Sequence, residues 1–217
     1  MRIALTIDNG PENTVTPRVL EELDRRGIKA TFFVVGERLL TPEHRALARA
    51  ARDAGHLIGN HTYTHGTPFG LLKNPQDAID EIARTAELLG DLAGDELLFR
   101  PSTQGGPMDA RTFNPAAVKY LTEGGYTCVL WNNLPEDWID PQGWPERAAQ
   151  TCRSLGDETS VLVVHDILPE AMLKLGSFLD EMLTRGATFV QEFPDSCVPI
   201  RRGQPTALLD EISARPL

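Results

Sequence analysis

Two histidines four residues apart, His61 and His65 in the stretch LIGNHTYTH, are the residues whose type and spacing most directly promise chemistry. A neutral imidazole offers one ring-nitrogen lone pair. Two of them with a third protein donor suit zinc and the other late first-row divalent cations while leaving coordination positions open to water. An open position is what a hydrolytic metal centre requires. Four-residue spacing on a helical turn would bring both rings to one side. HxxxH by itself also fits a helix cap or a solvent-facing pair, and both readings stay open at this point.

The elements that would position such a site can be read from the pattern of apolar runs. RIALTID, KATFFVV, HLIGNH, ELLFR, TCVLWNN, SVLVVHD and ATFVQEF read as seven strands, most of them too uniformly apolar to have a wet face. Between them, Thr16-Pro17, Thr41-Pro42, Asn74-Pro75 and Asn114-Pro115 each set a capping side chain before a proline suited to the first helical position. Gly27, Gly55, Gly125 and Gly186 close the helical segments where a left-handed residue is needed. Regular strand–helix alternation implies a mostly parallel sheet with right-handed crossovers, and seven units imply a barrel, complete or nearly so, over residues 1–193. Pro194 ends the last strand pattern, and 194–217 reads as a tail in which ALLDEISA is a candidate short helix.

Composition narrows the function classes. A net charge of −10 repels nucleic acid and anionic membranes at long range, and no apolar run approaches the roughly 20 residues that span a bilayer. Cys128, Cys152 and Cys197 are widely spaced, so neither a disulfide framework nor a cysteine zinc site is expected. The first strand begins at Arg2, leaving no room for an export segment, and a cytoplasmic location is the default. Oligomeric state stays open.

In a parallel barrel, polar residues at the C-terminal strand ends face one mouth. Asp8 and Asn9, His61 and His65, Arg100, Asn132 and Asn133, and His165 with Asp166 all fall there, although Asp166 reads better as a cap of the segment after it. TIDNG, ATFFVVGERL, GHLIGNHTYTH, FRP, the DW of PEDW, and VVH resemble, in order and spacing, the motifs of the polysaccharide deacetylase family, the NodB-homology carbohydrate esterases. The resemblance runs to about Phe193 and implies a distorted (β/α)7 barrel of the α/β class. It further implies metal-dependent hydrolysis of an acetamide on an amino sugar. Asp8 would then be the general base, held ionised by Arg100, and His61 and His65 the metal pair with Asn9 as third ligand. His165 would be the general acid, supported by Asp137, with Trp138 and Pro101 on the substrate side. Zinc is the first expectation for the divalent metal, with cobalt, nickel or manganese as alternatives.

The departures are specific. Asn9 stands where most of the family has a second aspartate, which predicts weaker metal binding. Arg100-Pro101-Ser102-Thr103-Gln104-Gly105 lacks the family's tyrosine and close glycine, leaving the backbone oxyanion donor unassigned, and Leu134 replaces an acidic residue before PEDW. Three functions therefore stay open. They are an N-deacetylase of oligo- or polysaccharide, a cytoplasmic amidase on a small ureide, imide or formamide, and a sugar-binding homologue without turnover.

Overall fold

The computed structural model describes residues 1–213, in which strands and helices alternate from the first residues onward. In chain order they are β1 (Arg2–Asp8), α1 (Thr16–Asp24), β2 (Thr31–Val34), α2 (Pro42–Asp53), β3 (Leu57–Asn60), α3 (Gln76–Leu89), β4 (Leu98–Phe99) and α4 (Pro115–Glu123). There follow β5 (Thr127–Cys128), α5 (Trp144–Ser154), β6 (Ser160–His165), α6 (Pro169–Met172), α7 (Leu175–Thr184), β7 (Thr188–Phe189), β8 (Ile200–Arg201), β9 (Gln204–Pro205) and α8 (Leu209–Ile212). The seven strands expected from the apolar runs all form, and β1 to β6 pair in parallel in the order β6-β1-β2-β3-β4-β5. A parallel bridge between Asn133 and Leu162 joins the segment after β5 to β6, curling the sheet into the expected distorted barrel. β7 lies beside the start of β1 at Arg2 and Ile3 rather than in the ring.

Alternation along β1 determines which residues can do chemistry. Ile3, Leu5 and Ile7 join the apolar layer shared with α1, α2, α5 and α7, so Ala4, Thr6 and Asp8 face the barrel interior. On β6, Leu162 and Val164 pack outward and Val161 inward, which sends Val163 and His165 inward too. Asp8 and His165 are partners in the β1–β6 register, so neighbouring strands deliver both side chains to one end of the interior. Gly59 on β3 makes room for the Phe33 ring inside the barrel: a Cβ there would sit 2.6 Å from it.

The helix ends follow the expected chemistry in part. Gly27, Gly55, Gly125 and Gly186 all adopt positive φ, from 63° to 88°. Thr41 and Asn114 cap α2 and α4, while Asn74 accepts from the Gln76 N–H at the entrance to α3. Thr16 does not cap α1; its hydroxyl accepts from the Glu12 N–H and donates to Asp166 Oδ2 at 2.5 Å. Asp166 likewise does not cap its following segment, because that bond to Thr16 turns it into the interior. In the tail, β8 pairs antiparallel with β5 and with β9, and α8 forms within ALLDEISA. Residues 214–217 lie outside the described residues. The three cysteines are free and buried, and no described helix is long and apolar enough to cross a membrane.

Between β2 and β3, His56 is buried with Nδ1 accepting the Ala30 N–H at 3.0 Å. Burial pushes its pKa down to about 4, with Lys29 adding to the effect. The folded state therefore binds fewer protons than the unfolded chain between pH 4 and 6.5, so this contribution is full above pH 6.5 and falls away below it. Taking the metal-free protein from pH 7 to 5 should cost about 2 kcal/mol through His56 alone. Urea unfolding at the two pH values should show that difference reduced in His56→Asn, whose side-chain oxygen can still accept from Ala30. An unchanged difference would overturn the assignment.

Candidate active site

The C-terminal ends of β1, β3, β4 and β6 surround a cavity of about 240 Å³. Asp8, Asn9, His61, His65 and His165 line its polar end, and Leu134, Val163, Ile167 and Leu168 line an apolar side. Pro101 and Trp138 complete the wall, with Trp138 37% exposed at the rim and edge-on to the His165 ring at 5.3 Å.

Asp8 is held from beneath by a fully buried arginine. Arg100 donates from one terminal nitrogen to Asp8 Oδ1 at 2.8 Å and to the Thr6 hydroxyl at 2.7 Å. Its remaining donors reach the Val129 and Leu130 carbonyls, and its guanidinium lies 4.1 Å from the Phe33 ring centre. With every donor arm committed, Arg100 cannot swing away, and its buried charge is compensated by the Asp8 side chain. Asp8 Oδ2, the oxygen not bonded to Arg100, lies 3.5 Å from His61 Nε2.

That 3.5 Å approach is not an ion pair, because burial lowers the His61 pKa to about 3 and the ring is neutral. His61 Nδ1–H donates to the Arg100 carbonyl at 2.9 Å; the carbonyl can only accept, so the lone pair is on Nε2. His65 is also neutral, lowered to about 3 by burial and then by His61, and the two ring centres are 4.8 Å apart. The helical turn expected for HxxxH does not form. Residues 61–65 are a loop in which Thr62 and His65 take positive φ, and those two residues, not a 3.6-residue period, bring the rings together. Thr62 explains the difference: its positive φ breaks a helical turn, and its hydroxyl takes the His65 N–H that such a turn would give to the His61 carbonyl.

His165 is oriented at two points by Asp137, itself fully buried. Its ring Nδ1–H donates to Asp137 Oδ1 at 2.7 Å and its backbone N–H to Oδ2 at 2.9 Å, leaving Nε2 as the free ring nitrogen. Burial works to lower the His165 pKa, but the hydrogen bond and charge of Asp137, helped by Asp8 and Asp166, outweigh it and the pKa rises. Asn132, Asn133 and Asp166, expected at the same mouth, are turned away. Asn132 bonds the Thr159 carbonyl and Val161 N–H, and Asn133 bonds the Ala148 carbonyl and Ser160 hydroxyl. Asp166 is bound by Thr16, and burial raises its carboxyl to about 6.

The sequence profile described as polysaccharide deacetylase matches residues 1–129. The chain belongs to that family. This member of the polysaccharide deacetylases is 30% identical over 196 residues to a peptidoglycan-N-acetylglucosamine deacetylase of Bacillus cereus, a match covering 87% of the chain and 66% of the relative. The chain thus spans just under two thirds of that relative's length. Among solved structures it resembles a family 4 carbohydrate esterase from Streptomyces lividans in complex with acetate, at a TM-score of 0.73 and 25% identity, covering 92% of this chain and 97% of that one. It also resembles a family 4 acetyl xylan esterase from Clostridium thermocellum in complex with a cobalt ion, at 0.70 and 28%, covering 88% and 87%. The distorted barrel described above is the fold these deacetylase-family neighbours share.

Donor chemistry decides whether this polysaccharide deacetylase fold could hold a divalent cation. Among the described residues no three of His, Cys, Asp and Glu form a ligand cluster. A third donor beside the histidines must come from outside that set, and Asn9 offers one: it lines the cavity, and its buried Oδ1 has no hydrogen-bond partner. A buried amide oxygen left unpaired costs free energy unless something accepts its lone pair. Two neutral imidazoles and that oxygen fit a divalent cation. Sequence reasoning did not single out Thr6 or Glu81. Thr6 could have been found from its two-residue spacing to Asp8, on the same face of β1. Glu81, whose carboxylate accepts from the Tyr63 and Thr64 N–H groups, carries no motif signal.

Proposed function

We propose that this chain is a hydrolase of carbon–nitrogen amide bonds that removes the acetyl group from N-acetylated amino sugars in an oligo- or polysaccharide. The observation that carries the reading is the opposition of two differently prepared groups across one cavity. Asp8 is fixed by Arg100 through Oδ1 alone, which leaves Oδ2 available to accept a proton, and His165 is kept protonatable by Asp137. Environments that separate a base from an acid in this way are how one site runs both halves of an acyl transfer.

Asp8 Oδ2 accepts a proton from the attacking water. His165, charged through Asp137, delivers a proton from Nε2 to the leaving amine nitrogen, so that water and amide become acetate and amine. His61 and His65 through their ring nitrogens, with Asn9 Oδ1, would hold the divalent metal. Bound there, the cation supplies Lewis acidity toward water and toward the acyl carbonyl oxygen. Leu134, Val163 and Ile167 offer an apolar surface to the acetyl methyl group, and the exposed face of Trp138 offers a stacking surface to a sugar ring.

Two features favour a carbohydrate over a small cyclic amide. A second cavity of about 200 Å³ shares Thr103 and Gln104 with the first, giving room for a neighbouring sugar. No lysine or arginine lines the first cavity, and Arg111 in the second is already engaged by Asp109, which suits a neutral sugar chain. The test is acetate release from chito-oligosaccharides by chelator-stripped protein, without and with zinc or cobalt. Metal-stimulated release is expected, and ring-opening of small imides without acetate release from sugars would overturn the proposal. Asn9→Asp, an acidic residue tolerated at this φ of 76°, should tighten the metal roughly tenfold in a chelator competition. Unchanged affinity would remove Asn9 from the ligand set.

A further inference from the structure

The loop carrying His61 and His65 is built from backbone that ordinary residues avoid, and one side chain outside it meets most of its exposed donors. Thr62 has φ 64° and His65 has φ 53°, both in the left-handed region. Between them, the Tyr63 and Thr64 N–H groups donate to Glu81 Oε2 at 2.9 and 2.8 Å, and the Thr64 hydroxyl donates to Glu81 Oε1 at 2.9 Å. Glu81 comes from the second turn of α3, a rigid helix whose Ile82 carbonyl also holds the Asn60 side chain at the start of the loop. One helical turn further on, the Arg84 guanidinium lies 3.5 Å from the centre of the Tyr63 ring. On the opposite side, the Gly36 and Glu37 N–H groups donate to the Thr62 and Tyr63 carbonyls at 2.9 and 3.0 Å. The loop is thus gripped through its carbonyls from one side and through its N–H groups by a single carboxylate from the other.

We propose that Glu81 is a positioning residue for the metal-binding histidines: its carboxylate keeps Tyr63 and Thr64 in the geometry that sets the separation of the His61 and His65 rings. Neither histidine touches Glu81 by any hydrogen bond in the structure, so its action runs through the loop backbone. Without the carboxylate the two N–H groups turn to water, the left-handed residues on either side lose the contact that holds them, and the rings spread. The inference rests on the reading that these histidines hold a divalent cation.

The two ideas separate in a cobalt titration of the full chain, read by the visible absorption of bound Co(II) and by affinity, with thermal unfolding of the metal-free protein alongside. Glu81→Ala should weaken Co(II) binding about 10- to 100-fold, the range seen when groups supporting metal ligands are removed, and should change the spectrum. Glu81→Gln should come back to within a few-fold of wild type. Its amide oxygen can still accept both N–H groups, and its NH2 can donate to Thr64 Oγ1, because a hydroxyl can reverse its role. Should Glu81→Ala fail to fold, Thr64→Val at the exposed end of the same network replaces it, with a few-fold weakening expected. A purely structural Glu81 would lower the melting temperature yet leave Co(II) affinity and spectrum unchanged, and that result overturns the inference alone. A wild-type chain that gives no cobalt spectrum overturns the metal-site reading and this inference with it.

Discussion

Asp8→Asn is expected to lower the rate of acetate release by roughly 10²- to 10⁴-fold, the range a positioned general base contributes, with much less change in substrate binding. The reason lies in how differently the two carboxylate oxygens are placed. Oδ1 is bonded to Arg100 and Oδ2 is not. An asparagine can keep its carbonyl oxygen on Arg100, which places an NH2 group where the base should be. That group cannot accept a proton, so the chemical step fails while the cavity keeps its shape. The substitution also removes the charge opposite a guanidinium that is completely buried. Breaking such a pair outright costs about 3 to 5 kcal/mol, and the retained hydrogen bond should hold the loss below that. Activity must therefore be measured well below the variant's own unfolding temperature, with kcat and KM read separately. Turnover equal to wild type under those conditions would dismiss Asp8 as the base.

The legible part of this site is the part that depends on strand alternation. Asp8 with Thr6, and His165 with Val163, fall inward because two-residue periodicity on a buried parallel strand leaves them no other face. Arg100 and His61 follow at the ends of their strands. What could not be read is governed by contacts distant in sequence. Asn132, Asn133 and Asp166 look equivalent to the converging residues, yet each finds a partner across the fold and turns from the mouth. The Asp166 carboxyl packs so closely on Gly10 that a Cβ there would sit 2.1 Å from Oδ1, a contact no local pattern announces. The histidine loop misled for a related reason: HxxxH fits a helical turn, but Thr62 takes positive φ and binds the His65 N–H, while Glu81, distant in sequence, takes the N–H groups between them. The β8–β9 hairpin was hidden by brevity, with two residues in each strand and a proline in one.

Asp137→Asn is expected to cut turnover by about 10²-fold or more through a group that contacts no substrate, and to shift the pH profile in a defined direction. Asp137 accepts from both His165 N–H groups, one with each oxygen. Asparagine has one acceptor oxygen, so it can satisfy the backbone N–H or the ring Nδ1–H but not both. If the oxygen stays with the backbone, the NH2 faces Nδ1 and demands a lone pair there. The ring is then driven to the neutral tautomer protonated at Nε2, a far weaker acid than imidazolium. Removing the charge also removes what now outweighs burial, so the His165 pKa falls. The acid must be protonated to act, and activity is lost as pH rises through its pKa; the alkaline limb of the profile should therefore move to lower pH. Stability carries the same sign. A raised histidine pKa stabilises the fold below its unfolded value near 6.5, an effect lost as pH rises through the folded pKa. The variant's stability deficit should accordingly be larger at pH 6 than at pH 9. An alkaline limb that stays in place would mean that a group other than His165 donates the proton, and His165→Gln would then retain the wild-type limb as well.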